Sequence, residues 1–195
     1  MIFEHQLPRI LVASPGVTDP NFCQAVVLLL EHDANGALGF IINNKSHMTL
    51  SEVVSYEGSE IPPEVPVWHA GPVDSSAGFV LHNQKNDYYE REIAPGISLS
   101  SSQESLRKLI DNEIKKDTEP PRDLYAFRLL IGYAGWGPGQ LDQEIHQGTW
   151  LQAPIDRNIL FNADYQSMWK QILTSTDSEA SYPGWSPQGG EHWLH

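Results

Sequence analysis

The feature that most constrains the fold is an Asn-Gly pair, Asn35-Gly36, set between two apolar runs. Both residue types accept positive φ, so Asn-Gly between apolar segments is the strongest short signal of a β-hairpin. The run before the pair covers residues 25–31 and the run after it covers residues 37–43. Both runs are too short for a long helix. We therefore predict two antiparallel strands joined at this pair.

The remaining apolar segments predict a mixture of strands and helices. Two helices are expected from capping boxes: residues 49–55, with Thr49 and Glu52, and a helix from Ser101, with Glu104. Two more are expected from helical spacing, over residues 140–146 and after an N-cap at Asn162 or Asp164. Further strands are expected at residues 9–13, 67–73, 78–82, 97–100 (an edge strand), 126–134, 150–151 and 159–161. Because strands and helices do not alternate regularly, the pattern predicts an α+β fold with a mixed sheet rather than a doubly wound one.

The domain organisation follows from length and from a change of composition near the end. A chain of 195 residues fits one domain with a tail. We expect the domain over residues 1–173 and an acidic tail rich in Ser, Gly and Pro over residues 174–195. That tail contains no Lys or Arg, yet it keeps Tyr182, Trp185 and Trp193, which favour docking of parts of it on the domain.

Composition also disfavours several classes of protein. The longest apolar run has six residues, far short of the roughly 20 of a membrane-spanning helix. The N-terminus has neither the basic nor the apolar region of a signal peptide. A single cysteine, Cys23, excludes an internal disulfide and a thiolate zinc cluster, which fits the reducing cytoplasm. Its neighbours are not basic, so we expect a buried small hydrophobic residue rather than a nucleophile.

The charge of the chain argues against nucleic acid and anionic membranes as partners. The chain has 12 Lys+Arg against 25 Asp+Glu, a net charge of −13. Binding to duplex DNA depends on several basic side chains that displace counterions from phosphates. The densest basic group, Lys108 with Lys115 and Lys116, is interleaved with acidic residues, which is typical of a solvated helix face.

Histidines near the ends of predicted strands are the candidates for a metal site. They are His32, which follows Glu31, and His69 and His82. Strand ends converge in some folds, so a metal-assisted hydrolase with these ligands and Glu31 or Glu144 as base is one alternative. Adjacent strand residues such as Glu31 and His32 face opposite sides, which argues against their binding one ion.

A glycine-rich turn, residues 135–139, precedes the helix that carries Glu144. Amides at a helix N-terminus attract anions, but Pro138 removes one donor and no lysine follows as in a phosphate-binding loop. Close packing of Trp136 explains the glycines equally well. Glu144 lies at the core boundary of its helix, where a structural hydrogen-bonding role is expected more often than catalysis.

Four sequence blocks, in order and with compatible spacing, carry a family resemblance. The first block reads LVASP and then DPNF, and the second reads EH and then NGALGFIIN. The third reads GPV and then GFVLH. The fourth reads GYAGW, GQL, a glutamate and WL, and the four blocks together span about residues 11–169. On these motifs the chain resembles the YqgE/AlgH family. It departs from the family pattern at His69-Ala70 before Gly71-Pro72, and after Leu173.

The resemblance implies a bacterial, cytoplasmic protein without an established enzymatic activity, often labelled a transcriptional regulator. It implies a single domain whose branched sheet curls into a pseudo-barrel with flanking helices. The family motif carries over to the following residues: Glu31, His32, Asn43, Gly71, Pro72, His82, Tyr133, Trp136, Gln140 and Glu144.

Our leading hypothesis is a non-enzymatic regulatory or binding protein that needs no cofactor. Its surface for a protein segment or a small molecule is expected where Trp136, Gln140, His82 and Glu31 converge. The metal-assisted hydrolase is the first alternative. A DNA-binding regulator is the second, and it requires a basic face that the charge disfavours.

Overall fold

The computed structural model describes residues 9–54, 65–84, 91–114 and 127–176, where strands and helices combine in an α+β fold. Within these ranges there are ten strands and five helices. The strands are β1 (Arg9–Ala13), β2 (Val26–Asp33), β3 (Gly36–Ile41), β4 (Lys45–Thr49), β5 (Pro66–His69), β6 (Val73–His82), β7 (Arg91–Ala94), β8 (Ile97–Ser100), β9 (Phe127–Trp136) and β10 (Trp150–Ala153). The helices are α1 (Leu50–Val53), α2 (Gln103–Ile114), α3 (Gln140–His146), α4 (Arg157–Asn162) and α5 (Tyr165–Thr176).

The strands form one branched, curled sheet in the order β10-β1-β2-β3-β9-β6-β8-β7. The branch is at β9, because this strand also pairs in parallel with β5, which in turn pairs with β4. All the other strand pairs of the described residues are antiparallel. The mixed, branched and curled sheet inferred from the family resemblance is confirmed.

Three hydrophobic clusters cover the two faces of this sheet. The largest lies under α4 and α5, which contribute Leu160, Phe161, Met168 and Ile172. The second lies on the other face of β1, β2 and β3, under Leu141 of α3. The third lies between β5, β6, β9 and the helices α1 and α2. No helix within the described residues is long and apolar enough to cross a membrane.

The predicted hairpin is confirmed, but its turn is not the one expected. Asp33 pairs with Gly36, so Ala34 and Asn35 form the turn. Gly36 has φ 138°, whereas Asn35 is not among the described non-glycine residues with positive φ. The backbone N–H of Asn35 instead donates to the carboxylate of Asp33 at 2.7 Å.

Three strand predictions were wrong. The strand predicted over residues 67–73 ends at His69. β6 runs unbroken from Val73 to His82, with a bulge at residues 74–77, which lie between the two predicted strands 67–73 and 78–82. β8 is not an edge strand, because β7 pairs with its outer side. Residues 159–161 belong to α4, whose first turn is capped by Asp156.

The helix predictions were closer to the structure. α3 has the predicted bounds, and Asp164 caps α5 by accepting from the N–H of Gln166 at 3.3 Å. The cap of α2 is Ser102 rather than Ser101, because the Ser102 hydroxyl accepts from the N–H of Glu104 at 3.2 Å. α5 continues to Thr176, and residues 177–195 of the predicted tail lie outside the described residues.

The capping box at α1 supports a prediction about pH. The backbone N–H and the hydroxyl of Thr49 donate to Glu52 at 2.7 and 3.0 Å. These bonds hold the pKa of Glu52 below its ordinary value of 4.5. The cap is therefore complete above that value and is lost as the pH falls through the lowered pKa. We expect the NMR titration of the Glu52 carboxyl carbon to have its midpoint below 4.5.

A variant that removes only the hydroxyl provides the control. In Thr49→Ala the backbone donor remains, so the midpoint should rise part of the way toward the ordinary value. A midpoint in the unmodified protein at the ordinary value, or no change in Thr49→Ala, would contradict the role assigned to these bonds.

Candidate functional site

The most connected polar group among the predicted residues is the carboxylate of Glu144 on α3. Its Oε2 accepts from the indole N–H of Trp136 at 2.9 Å and from that of Trp150 at 2.7 Å. Its Oε1 accepts from the side-chain amide of Gln140 at 2.8 Å. Three donors therefore converge on one carboxylate, and they tie β9, β10 and α3 together.

The two tryptophans belong to an aromatic cluster beside this carboxylate. Trp136 is 7% and Trp150 3% exposed, and their ring centroids are 5.9 Å apart at an interplanar angle of 81°. Phe22, from the loop before β2, lies 6.3 Å from Trp136 and 5.6 Å from Trp150. We call Glu144, Gln140, Trp136, Trp150 and Phe22 the indole–carboxylate cluster.

The glycine-rich turn leads the chain from β9 into this cluster. Gln140 opens α3, and its side-chain oxygen accepts from the backbone N–H of Gly137 at 3.0 Å. Gly139 has φ 70° and so provides the left-handed bend before the helix. The turn thus serves to place Gln140 and Glu144 on Trp136, which is the packing interpretation of the glycines. The backbone N–H of Gly137, one of the amides that an anion site in this turn would use, already donates to Gln140.

Glu31 and His32 contact different elements, as expected for neighbours on a strand. The ring of His32 lies 3.1 Å from the carboxylate of Asp142 on α3. Glu31 lies 3.1 Å from the guanidinium of Arg91 on β7. In the sheet order β7 is five places from β2, so the contact between Glu31 and Arg91 links distant strands across the curl.

The ion pair between Glu31 and Arg91 is expected to be weak. Both side chains are more than half exposed, at 57% and 62%, and exposed pairs contribute at most about 1 kcal/mol. A double-mutant cycle of Glu31→Ala and Arg91→Ala in urea unfolding should therefore give a coupling energy below about 1 kcal/mol. At 1 M salt, where the screening length is about 3 Å, the coupling should shrink further. A coupling above about 2 kcal/mol would contradict this assignment.

Gly71 and Tyr133 form a second group of predicted residues, held by close backbone contact. Gly71 has φ 150°, and a Cβ there would lie 2.2 Å from the carbonyl of Tyr133. A Cβ on Gly132 would lie 2.6 Å from the carbonyl oxygen of Gly71. Only glycine fits at both positions, and the fit brings the exposed Pro72 and Val73 beside Tyr133.

Asn43 and His82 have structural surroundings of their own. The side chain of Asn43 accepts from the N–H of Val26 at 2.8 Å and donates to the carbonyl of Gln24 at 2.9 Å. His82 is fully buried, with its Nδ1 at 3.2 Å from the carbonyl oxygen of Gln84. Both therefore fix local backbone.

The predicted convergence of Trp136, Gln140, His82 and Glu31 does not hold for His82. His82 pairs with Phe127, which is nine residues and roughly 30 Å along β9 from Trp136. Glu31 lies two strands from Gly135, because its partner Leu38 pairs with Gly135, and its carboxylate contacts Arg91 of β7. Trp136 and Gln140 do lie together, with Glu144 between them.

The candidate metal ligands are also separated. His69 pairs with Ile131 and His82 with Phe127, which places them about 13 Å apart along β9. His32 lies near the Trp136 end, because its partner Ala37 pairs with Trp136. Within residues 9–54, 65–84, 91–114 and 127–176, no group of three or more His, Cys, Asp or Glu residues is arranged to hold a metal ion.

Several basic side chains of the described residues are engaged within the domain. Arg9 is 7% exposed, and its guanidinium donates to the side chain of Gln152. Arg128 is 3% exposed; its guanidinium donates to the carbonyl of Ile42 and lies 4.3 Å from the centroid of the Trp68 ring. Burial lowers the pKa of Arg9. Lys108 lies 3.0 Å from Glu104 on α2. Lys115 and Lys116 lie outside the described residues.

Sequence reasoning missed part of this site and misjudged one residue. Cys23 is exposed, not buried, because the loop of residues 19–25 turns it outward before β2 begins. Trp150 and Phe22 were not among the predicted site residues. The only sequence signal for them was their presence in the DPNF and WL motifs, since their contacts with Trp136 are non-local.

Comparisons with known proteins agree on one family. The AlgH-like family model matches residues 10–181. A UPF0301 protein of Thioalkalivibrio sulfidiphilus is 35% identical over 166 residues, which is 83% of this chain and 84% of the relative. A UPF0301 protein of Pseudomonas putida is 35% identical over 158 residues, covering 78% and 79%.

Two solved structures share the fold. The solution structure of the AlgH protein from Pseudomonas aeruginosa is similar with a TM-score of 0.64 and 31% identity, over 90% of this chain and 95% of that one. A crystal structure of a Corynebacterium diphtheriae protein gives a TM-score of 0.67 at 20% identity, over 88% of each chain, which bears on the fold alone.

Proposed function

The chain belongs to the AlgH-like family, and from that premise we propose that it is a non-enzymatic, cytoplasmic binding protein that acts through a protein partner. The observation that carries the proposal is the state of Glu144. A general base needs a free lone pair and room for a substrate proton. Three of the roughly four lone-pair positions of the Glu144 carboxylate already accept hydrogen bonds, from Trp136, Trp150 and Gln140. This supports a structural role for the carboxylate.

A surface next to the indole–carboxylate cluster suits a protein partner. It consists of Pro72, Val73, Tyr133 and Gly135. A Cβ on Gly135 would lie 3.6 Å from the Tyr133 ring and 3.8 Å from the Val73 side chain, so these residues are contiguous. Val73 is 36% exposed, one of three large hydrophobic side chains exposed to that extent within the described residues. We name this the Pro72–Gly135 surface.

The rigidity of the surface supports binding rather than chemistry. Gly71 and Gly132 fix the backbone under Pro72 and Tyr133 by contacts that no other residue permits. Next to Gly135, Trp136 is anchored through Glu144. A preformed surface loses little conformational entropy on binding, which favours affinity for a partner.

A regulatory role through a protein fits the charge better than contact with DNA. With a net charge of −13, the chain repels phosphates on average. Of the five described arginines, Arg9 and Arg128 are buried, while Arg91, Arg107 and Arg157 are exposed. Two of the exposed ones already have partners within the domain, because Arg91 contacts Glu31 and Arg157 donates to the carbonyl of Asn83. We therefore place any effect on transcription downstream of a protein contact.

Site-specific photo-crosslinking tests the proposed surface. A benzophenone side chain is introduced at Val73 or, as a matched control, at Val53 on α1, which is 37% exposed. In cells of the native host, the Val73 variant should give one adduct of defined mass and the Val53 variant should not. Equal adduct patterns at the two positions, or none at Val73, would remove this surface from the proposal.

Native mass spectrometry with metal analysis tests the alternative of a metal enzyme. We expect the purified full chain to carry no stoichiometric metal ion. A bound metal that is lost in His32→Ala, His69→Ala or His82→Ala would replace the binding-protein proposal with metal-assisted chemistry.

A further inference from the structure

A groove that shares no lining residue with the Pro72–Gly135 surface lies beside β3 and α5. It is a cavity of about 220 Å³ between the loop before β2, the chain after β3 and the start of α5. Four carboxamide side chains besides Asn43 line it, together with two aromatic residues and the thiol: Asn21, Gln24, Asn44, Gln166, Tyr165, Trp169 and Cys23. We call it the amide groove.

The lining of the amide groove is uncharged. None of its side chains is acidic or basic, although the chain has 25 acidic and 12 basic residues. Among these lining side chains a phosphate, carboxylate or ammonium group would find no counter-charge. The Lys45 ammonium lies beside the groove, 5.6 Å from the centroid of the Tyr165 ring. The lining favours a neutral ligand that forms many hydrogen bonds.

The walls of the groove are held in place by the surrounding structure. Asn43 bonds the backbone of both Gln24 and Val26, and this fixes Gln24 at φ 55°, an uncommon conformation for a residue with a side chain. The indole N–H of Trp169 donates to the carbonyl of Ala13 at 2.7 Å. The ring of Tyr165 packs edge-on against Trp68, with centroids 5.3 Å apart.

We propose that the amide groove binds the base of an unphosphorylated nucleoside. A carboxamide presents a donor and an acceptor side by side, which is the pattern that Asn and Gln use on the edge of adenine. An aromatic side chain such as Trp169 provides stacking for any base. A volume of about 220 Å³ is below the roughly 300–1,000 Å³ of sites for drug-sized ligands, so it suits a single ring system.

The groove provides its own reporter of binding. Cys23 is the only cysteine of the chain, it is exposed, and it lines the groove. A bound base should shield this thiol. We therefore expect one of adenosine, cytidine, guanosine or uridine to bind the full chain saturably by titration calorimetry. The same nucleoside should slow the reaction of Cys23 with a thiol reagent at matching concentrations.

Two variants locate the binding, and a third is the control. Asn44→Ala and Gln24→Gly each remove one lining amide, and glycine also tolerates the positive φ at position 24. Each should weaken binding about tenfold. Gln143→Ala removes an exposed amide on α3, outside the groove, and should leave binding unchanged.

The outcomes separate clearly. Binding that is weakened by Asn44→Ala and Gln24→Gly, spared by Gln143→Ala and accompanied by protection of Cys23 supports the proposal. Absence of saturable binding by all four nucleosides overturns it, as does binding that neither groove variant weakens. Because crosslinking at Val73 reports on a separate surface, failure at the groove leaves the proposed partner surface standing, and the reverse also holds.

Discussion

Replacing Gly71 with alanine is expected to lower the free energy of unfolding by roughly 4 kcal/mol. Two costs combine: a side chain in a left-handed or otherwise strained backbone costs about 1–3 kcal/mol, and overpacking a tight site costs a similar amount. At Gly71 the φ is 150°, and the new Cβ would lie 2.2 Å from backbone atoms of Tyr133. Backbone cannot move aside as a flexible side chain can, so β6 and β9 would have to separate.

Urea unfolding followed by tryptophan fluorescence measures this loss, and two other glycines calibrate it. Gly148 has φ 76°, and no atom lies within 4 Å of the position that a Cβ would take, so Gly148→Ala isolates the backbone cost. Gly16 has neither a positive φ nor a neighbour within 4 Å, so Gly16→Ala should be close to neutral. A loss in Gly71→Ala no greater than that in Gly148→Ala would show that the contact with Tyr133 is not tight.

Removing the carboxylate of Glu144 is expected to have the second largest effect. Glu144→Ala leaves the indole N–H groups of Trp136 and Trp150 without their acceptor, and both residues are buried. A buried donor left unsatisfied costs about 1–3 kcal/mol, so the expected loss is roughly 3 kcal/mol. Glu144→Gln keeps one acceptor oxygen and should cost less.

The matched control is Gln143→Ala, an exposed position on the same helix, which should change the free energy of unfolding by less than about 0.5 kcal/mol. Tryptophan emission gives a second readout, because the two indoles that lose their partner are the reporters. If Glu144→Ala matched Gln143→Ala in both stability and emission, the carboxylate would be free of the structural role assigned to it, and the case for a non-enzymatic protein would lose its main support.

The elements that could be predicted from sequence are those with local causes. The hairpin at Asn35-Gly36, the capping box at Thr49 and the bounds of α3 each depend on residues within a few positions of one another. The errors occurred where distant residues decide. β8 resembles an edge strand until β7 pairs with it, and residues 159–161 form a helix because Asp156 caps it and Leu160 and Phe161 pack into the core.

The site was predicted in part for the same reason. Helical spacing and the family motif pointed to Glu144 and Gln140, and they lie together. The acceptor role of Glu144 toward Trp150 depends on the return of β10, and the separation of His82 from Trp136 depends on the register of β6 on β9. Neither the contact of Glu144 with Trp150 nor the distance between His82 and Trp136 can be inferred from the spacing of these residues along the chain. The loop that carries the exposed Cys23 is likewise held by a distant residue, because Asn43 donates to the carbonyl of Gln24 from 19 residues away.

The branch at β9 has a consequence for synthesis on the ribosome. The described strands made earlier form three separate paired groups, namely β1-β2-β3, β4-β5 and β6-β8-β7, and strand pairing joins these groups only through β9. β9 is the ninth of the ten described strands. Nascent chains that end before residue 127 therefore expose the apolar faces of all three groups, and such surfaces are what chaperones bind. Once residue 136 has left the ribosome, β9 can pair with all three groups and join them into one sheet. Assembly of the domain is therefore a late event in translation.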